Sequence, residues 1–317
     1  MANTDAHHDN DDSDDPIAQL QTARTWGAAL RAATAVLKAA GVEATPALDA
    51  QVLLSHVTGA ARAALLAYPE RTLADARATA YAALVARRTA GEPVAYLVGH
   101  REFLGLDFLT DARALIPRPE TELLVEAALT EARTRLDAGA YPIAADIGTG
   151  SGAIALSLAA LEPRLPRVYA TDVSAGALAL ARENAARLGV AERVTFLQGD
   201  LLAPLPEPVD LLLANLPYVA PRDAVTLPPD VRAYEPALAL YGGGDGLGHL
   251  RRLFAEAPAH LRPGAVVGLE FGYDQRAAVE ALARAAFPGC AVRVGADYAG
   301  WDRYAILRIP TPPPRVL

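Results

Sequence analysis

The stretch Ala144-Ala145-Asp146-Ile147-Gly148-Thr149-Gly150-Ser151-Gly152 decides the fold. The short apolar run from Pro142 predicts a buried strand that leads into it, and the apolar run from Ala153 to Ala160 predicts a helix that follows it. The glycines between them predict a turn in which free backbone N–H groups at a helix N-terminus can surround a ligand. The spacing Asp-x-Gly-x-Gly-x-Gly differs from the Gly-x-Gly-x-x-Gly of dinucleotide-binding proteins. A glycine-rich turn often only connects a strand to a helix and binds nothing, so the surrounding sequence decides its role.

Strands and helices alternate from this stretch to the end of the chain. The predicted strands cover residues 143–146, 167–171, 193–197, 209–214, 265–271, 290–294 and 303–309. The predicted helices cover residues 152–161, 175–188, 247–260 and 274–286. Such alternation is typical of an α/β protein with a mainly parallel, doubly wound sheet. Only Gly295 to Asp302 separates the last two strands, which is too short for a helix, so we expect an antiparallel pair at one edge.

The sequence before this region predicts a separate helical part. Residues 1–16 contain six Asp and no Lys or Arg, and they carry too few apolar groups to fold. Residues 17–92 show alanine-rich helical patterns, with Thr45-Pro46 as one helix start and a Thr72–Asp75 capping box as another.

A change of pattern follows at residues 93–116. Val94, Tyr96 and Val98 alternate with other residues, and glycines punctuate the stretch, so we predict a β-hairpin linker. The expected domains are therefore an acidic tail, a helical bundle, this linker, a large α/β domain and a loose tail, over residues 1–16, 17–92, 93–116, 117–310 and 311–317.

Composition excludes several classes of protein. The 317 residues are 52% hydrophobic, which is enough for a sizeable core, and the net charge of −8 leaves about −2 outside the acidic tail. A near-neutral body lacks the basic footprint of a nucleic-acid-binding protein. Cys290 is the only cysteine, so an internal disulfide or a cysteine-based metal cluster is excluded. With no apolar run of membrane-spanning length and an acidic N-terminus unlike a signal peptide, we expect a cytoplasmic protein without metal.

Acidic and apolar residues follow the next two predicted strands. Asp172 lies 24 residues beyond Gly148, where a carboxylate accepts hydrogen bonds from ribose hydroxyls. Asp200 and Leu201 follow the third strand, where an adenine ring would meet a hydrogen-bond acceptor and an apolar side chain. Three such features at the carboxyl ends of successive strands predict a nucleoside-containing cofactor.

The segment Asn215-Leu216-Pro217-Tyr218 predicts the chemistry. An amide or aromatic amine is a poor nucleophile, so its N–H groups must be held by acceptors while the nitrogen attacks. The Asn215 side-chain oxygen and the Leu216 carbonyl can accept two N–H groups, Pro217 can fix the turn, and Tyr218 can stack on a planar acceptor. Together with the glycine turn, this segment predicts methyl transfer to nitrogen.

The chain from about Ile17 to Ile309 resembles the HemK/PrmC family, the peptide chain release factor glutamine methyltransferases, and its glycine turn resembles motif I of class I S-adenosylmethionine-dependent methyltransferases. The segments that carry this resemblance are Arg101-Glu102-Phe103-Leu104-Gly105-Leu106, Ile116-Pro117-Arg118-Pro119-Glu120-Thr121-Glu122, Asp146 to Gly152, Asn215 to Tyr218, Tyr234-Glu235-Pro236, Gly243-Gly244-Asp245-Gly246-Leu247, Leu269-Glu270-Phe271-Gly272 and Asp302-Arg303. The family usually has Asn-Pro-Pro-Tyr, whereas this chain has Leu216, which keeps the backbone carbonyl.

The resemblance implies a Rossmann-like methyltransferase domain after a helical domain. It implies methyl transfer from S-adenosyl-L-methionine, with S-adenosyl-L-homocysteine as product, to the glutamine amide of the Gly-Gly-Gln motif in class I release factors. It also implies that residues 148–152, Asp172, Asp200, Leu201 and Asn215 bind the cofactor, and that Asn215 to Tyr218 bind the substrate and carry catalysis. We expect a monomer that contacts neither membrane nor nucleic acid directly.

Three alternatives remain open from the sequence. A sister family methylates a glutamine of a large-subunit ribosomal protein, but its entry loop typically reads Val-Pro-Arg-Ser-Pro-Ile, and Pro119-Glu120-Thr121 here favours the release-factor branch. An adenine methyltransferase acting on RNA or DNA is disfavoured by the near-neutral body. A non-enzymatic sensor of S-adenosylmethionine would not need the segment from Asn215 to Tyr218.

Overall fold

The computed structural model describes residues 16–42 and 44–311. The chain divides into two compact units, the first ending at Val98 and the second beginning at Gly99. The predicted acidic tail, apart from Pro16, and the predicted C-terminal tail, apart from Thr311, lie outside the described residues.

The first unit consists, in its described part, of helices around one apolar core. Thr25 caps the second of them by accepting a hydrogen bond from the Ala28 N–H at 3.3 Å. The third begins at Pro46 and ends at Gly59, which has the left-handed φ of 72°. The helices are α1 (Pro16–Gln21), α2 (Trp26–Ala39), α3 (Pro46–Thr58), α4 (Arg62–Ala67), α5 (Asp75–Thr89) and α6 (Val94–Val98).

Two predictions for this part of the chain are wrong. The predicted capping box does not form, because the N-cap residue of α5 is Ala74, and Thr72 instead forms a β-bridge with Thr25. The residues of α6 are helical rather than extended. Pro93 favours a first helical turn, and its carbonyl accepts the Leu97 N–H at 3.1 Å, which turns the Leu97 side chain into the helical core.

The second unit begins with the predicted hairpin. Its strands are β1 (His100–Phe103) and β2 (Leu106–Leu109). Leu104 and Gly105 form the two-residue turn with φ values of 50° and 75°, as a turn with two left-handed positions requires. The strained Leu104 is held by its N–H, which donates to Oε1 of Glu122 at 3.1 Å.

A seven-stranded sheet forms the centre of this unit. Its order is β5-β4-β3-β6-β7-β9-β8, and only β9 runs antiparallel to its neighbours. All seven predicted strands and the antiparallel edge pair are therefore confirmed. The strands are β3 (Ile143–Ile147), β4 (Arg167–Asp172), β5 (Val194–Gln198), β6 (Val209–Ala214), β7 (Leu261–Glu270), β8 (Ala291–Ala296) and β9 (Asp302–Arg308).

Helices cover both faces of the sheet. The neighbours Ala144 and Ala145 on β3 pack into different apolar clusters, one with residues of α7 and α8 and the other with residues of α11 and α12. The helices here are α7 (Pro119–Asp137), α8 (Ala153–Leu161), α9 (Ala175–Arg187), α10 (Pro229–Tyr234), α11 (Gly248–Glu256) and α12 (Arg276–Ala286). In the part of the chain that the structure describes, no helix combines the length and apolarity of a membrane span.

The sheet brings the predicted site residues to one edge. The last residue of β3 pairs with Ala214 on β6 and with Thr171 on β4. Gly148, Asn215 and Asp172 therefore follow neighbouring strands at their carboxyl ends, where ligands bind in sheets of this kind.

Candidate active site

The glycine turn is held open by its backbone. Gly148, Gly150 and Gly152 have φ values of 72°, 56° and 87°, which side chains rarely adopt. The N–H groups of Gly148 and Thr149 donate to the Thr171 carbonyl at 2.9 and 2.8 Å. These bonds anchor the start of the turn to the neighbouring strand.

A fully buried carboxyl lies beneath this turn. Oδ2 of Asp146 accepts hydrogen bonds from the Thr149 hydroxyl at 2.6 Å and the Ala155 N–H at 3.1 Å. Burial raises the pKa of Asp146 to about 7. The carboxyl therefore ties the turn to the first turn of α8.

Asp172 joins the ends of β3 and β4. Its Oδ2 accepts the Gly150 N–H at 2.9 Å, and its Oδ1 accepts the Ser174 N–H at 2.8 Å. Burial raises the pKa of Asp172, while these backbone hydrogen bonds lower it. Each carboxylate oxygen retains a further lone pair that can accept a hydroxyl.

Asp200 and Leu201 differ in their exposure to solvent. Leu201 is buried, and its carbonyl accepts the Thr171 hydroxyl at 3.2 Å. The Asp200 side chain is 58% exposed, and its Oδ2 accepts a hydrogen bond from Arg252 at 2.6 Å. Both residues line the same cleft.

Asn215 is oriented by two groups that the sequence reasoning did not assign. Its Nδ2 donates to the Thr121 hydroxyl at 3.1 Å, and that hydroxyl donates to Oε2 of Glu270 at 2.6 Å. Glu270 is the one charged residue in the stretch from Ala265 to Phe271, which is a signal that could have marked it. With the nitrogen directed to Thr121, the side-chain oxygen of Asn215 faces the opposite way.

The remainder of the Asn215–Tyr218 segment packs closely on backbone and side chains from both earlier and later parts of the chain. A Cβ on Gly148 would lie 3.0 Å from Cδ2 of Leu216, so Leu216 contacts the glycine turn. Gln275 donates its Nε2 to the Tyr218 carbonyl at 3.0 Å. A Cβ on Gly242 would lie 2.3 Å from the Pro217 carbonyl oxygen.

Tyr218 lies outside the main cleft. Asn215, Leu216 and Pro217 line that cleft, whereas Tyr218 lines a smaller adjoining depression, together with Pro217 and Glu270. Burial raises the pKa of the Tyr218 hydroxyl.

A second buried acid, Glu235, holds the proline loop at the cleft. Its Oε2 accepts the Ile116 N–H at 3.1 Å, and its Oε1 pairs with Arg118. The contact could not be predicted from the sequence, because 117 residues separate Arg118 and Glu235.

The cleft between these elements contains about 1090 Å³ of open space. A Cβ on Gly150 would have one neighbour within 4 Å, Ala114 at 3.9 Å, so the bare backbone at Gly150 borders the cleft rather than packed protein. Acceptors at Asp172 and an apolar wall at Leu201 border the same space. These residues fit a cofactor that combines a ribose with a planar ring.

Both units contain segments that match known protein families. Residues 28–99 match the PrmC N-terminal domain, and residues 121–227 match the methyltransferase small domain. A release factor glutamine methyltransferase of Moorella thermoacetica is 50% identical over 276 residues, which are 87% of this chain and 95% of that protein. The chain belongs to the release factor glutamine methyltransferase family.

Another member of this family extends the similarity. The release factor glutamine methyltransferase of Cereibacter sphaeroides is 44% identical and aligns with 89% of this chain and 98% of that protein.

The solved structures agree with the fold. The hMettl16 catalytic domain in complex with MAT2A 3'UTR hairpin 6 has a TM-score of 0.54, 17% identity and coverage of 73% of this chain and 83% of that one. This likeness and the family match confirm the predicted α/β methyltransferase fold.

Proposed function

We propose that this chain transfers a methyl group from S-adenosylmethionine to the side-chain amide nitrogen of the glutamine in the Gly-Gly-Gln motif of class I release factors. One observation carries the proposal. Asn215 turns its amide nitrogen into the protein and its oxygen away from Thr121, one strand from the glycine turn. A family of glutamine methyltransferases needs such an acceptor beside its cofactor.

In the cofactor half of the site, backbone groups and a few side chains would hold S-adenosylmethionine. Residues 148–152 leave room for the methionine part of S-adenosylmethionine, Asp172 would accept its ribose hydroxyls, and Leu201 would pack on its adenine. The partly exposed Asp200 would accept the adenine amino group only by sharing its carboxylate with Arg252. The bound cofactor supplies an electrophilic methyl group on a sulfonium.

The acceptor half would prepare a glutamine amide. The amide nitrogen is a weak nucleophile because its lone pair is delocalised into the carbonyl. The Asn215 oxygen and the Leu216 carbonyl would accept its two N–H groups and hold the nitrogen as it becomes tetrahedral. Pro217 fixes the turn that presents this carbonyl, and Tyr218 would offer a ring face to the planar amide.

Leu216 stands where the family usually has proline, and its packing shows what the larger side chain does in this protein. Its side chain fills the space against Gly148, so it links the acceptor half of the site to the cofactor half. The backbone carbonyl that the chemistry needs is independent of the side chain.

The direct test is methyl transfer from labelled S-adenosylmethionine to purified release factor. We expect one methyl group per release factor, located by mass spectrometry on the Gly-Gly-Gln glutamine. A release factor with that glutamine changed to alanine is the matched control and should take up no label. Labelling of ribosomal protein or RNA in place of release factor would contradict the proposal.

A further inference from the structure

Three polar side chains, two of them buried, form a hydrogen-bonded chain at the proposed acceptor site. Thr121 lies in the first turn of α7 and Glu270 ends β7, and their side chains are 4% and 7% exposed. The Thr121 hydroxyl lies 2.6 Å from Oε2 of Glu270 and 3.1 Å from Nδ2 of Asn215. The three residues come from three separate elements, so only the tertiary fold brings them together.

The chemistry of the chain fixes its direction. An ionised carboxylate can only accept, so above the pKa of Glu270, which is about 7, the Thr121 hydroxyl must donate its single proton to Glu270. The hydroxyl oxygen is then left as an acceptor, and the Asn215 group that faces it must be the NH2 end. Without this constraint the two ends of an amide are nearly equivalent in shape, and Asn215 could turn its nitrogen toward the substrate.

Charged and titratable groups surround Glu270. Burial raises its pKa to about 7, with Glu120 acting in the same direction. The Thr121 hydroxyl, Arg303 and the Asn215 amide lower it. Glu270 is also close enough to the Tyr218 hydroxyl to raise the pKa of Tyr218. The carboxylate is thus a buried acceptor that Arg303 partly balances.

We propose that Thr121 and Glu270 are positioning residues, which fix the Asn215 amide so that its oxygen faces the glutamine nitrogen. This inference rests on the proposed function, because it assigns a purpose to the Asn215 oxygen. Thr121 also borders the cleft, but its proposed role, like that of Glu270, is carried through Asn215.

The test begins with Thr121→Val, which keeps the shape and removes the hydroxyl. We expect kcat for release factor methylation to fall by about 10- to 100-fold, the size of effect that misplacement of a reacting group produces. The cofactor dissociation constant and the melting temperature should change little, and Thr121→Ser should restore most of kcat. Thr130→Val is the matched control, because the Thr130 hydroxyl donates to the Glu126 carbonyl on the exposed side of the same helix.

Glu270 is tested by Glu270→Gln. The Gln amide can donate to Thr121 as well as accept from it, so the direction of the chain is no longer fixed. We expect kcat to fall by roughly tenfold while cofactor affinity is retained. An unchanged kcat would remove Glu270 from the proposal.

A double-mutant cycle separates this inference from the proposed function. If Thr121 acts only through Asn215, Thr121→Val should cause no further loss in an Asn215→Ala background. If the Thr121→Val single variant were fully active while the Asn215→Ala single variant were inactive, only the positioning role would be overturned. The positioning role would also be overturned if the lower kcat of Thr121→Val were explained by weaker cofactor binding or lower stability, and if Thr121→Ser did not restore kcat. Full activity of Asn215→Ala would instead overturn the proposed function.

Discussion

The glycine turn 148–152 and residues 215–217 border the same cleft from adjacent strands, but the turn and the segment 215–218 are held in different ways. The glycine turn depends on its own φ angles and on hydrogen bonds to Thr171 in the next strand. The segment 215–218 depends on side chains far away in sequence, with Thr121 94 residues and Gln275 57 residues from their partners. The first structure is local, whereas the second exists only once the domain has folded.

A buried carboxyl with a pKa raised to about 7 by burial supports each of the two regions. Asp146 bonds to Thr149, three residues away, and Glu270 bonds to Thr121, 149 residues away. We therefore expect the cofactor half to tolerate changes elsewhere in the domain and the acceptor half to be sensitive to remote substitutions. The following variants test that difference.

The largest effect is expected from Gly242→Ala. Its Cβ would lie 2.3 Å from the carbonyl oxygens of Pro217 and Gly246, so backbone must move. We expect transfer to fall by about 100-fold, since the acceptor carbonyls are displaced. Gly244→Ala, two residues away with nothing within 4 Å, should be nearly normal. Methylation assays on both variants decide the point, and equal activities would show that the segment 215–218 is not held from outside.

Gly150→Val tests the local turn. The new side chain would project into the cleft and would also meet the strain of φ 56°. We compare it with Gly189→Val, which has φ 70° and nothing within 4 Å of a Cβ. Both should lose about 1–2 kcal/mol of stability from the left-handed backbone. Calorimetry should show lost S-adenosylmethionine binding for Gly150→Val only; retained affinity in that folded variant would contradict the assignment.

A smaller effect is expected at the two predicted acids. Asp172→Ala should weaken cofactor binding by about 1.5–3 kcal/mol, the range for hydrogen bonds to a charged group. Asp200→Ala should cost less than about 1 kcal/mol, because the carboxylate is largely exposed and already paired. Asp172→Asn, which keeps one acceptor oxygen, should lie between them. The Michaelis constants for cofactor test this order, and a larger effect at Asp200 would reverse the assignment of the two acids.

The last effect concerns the pH dependence of stability rather than methyl transfer or cofactor binding. Because the folded-state pKa of Asp146 is about 7 and its ordinary value is 3.8, the folded protein keeps a proton that the unfolded chain releases. The free energy of unfolding contributed by this group is full below pH 3.8 and is lost as pH rises through 7. Between pH 5 and pH 8 this decline amounts to about 3 kcal/mol, at roughly 1.4 kcal/mol per pH unit up to the folded-state pKa, and Asp146→Asn should remove it. Urea unfolding at pH 5 and pH 8 measures it; an unchanged slope would mean that the carboxyl titrates normally.

The sheet could be predicted from the sequence because its signals are local. Apolar runs, glycines and short connections predict all seven strands, and the Thr45-Pro46 start predicts α3. The same reasoning failed at residues 94–98, where alternation and helical spacing both fit a five-residue apolar stretch and Pro93 with the helical core decided the outcome. It also failed at Thr72, because the helix start depended on contacts across the unit.

The candidate site shows the same division. The positions of Gly148, Asp172 and Asn215 at neighbouring strand ends follow from the predicted alternation. The roles of Thr121, Glu235 and Glu270 do not, since each depends on a partner more than 90 residues away. A single sequence contains no distance between such residues. The unusual placement of an acid in an apolar stretch, as at Glu270, is the available hint.

The most direct measurement is the single-turnover rate of Asn215→Ala with saturating S-adenosylmethionine and purified release factor. The Asn215 oxygen is proposed to hold the glutamine amide most strongly in the transition state, so its loss should slow transfer by on the order of 100-fold or more. Cofactor affinity should stay close to that of the wild type, because the glycine turn is held independently. A wild-type transfer rate in this variant would contradict the account and would mean that methyl transfer occurs without the Asn215 side chain.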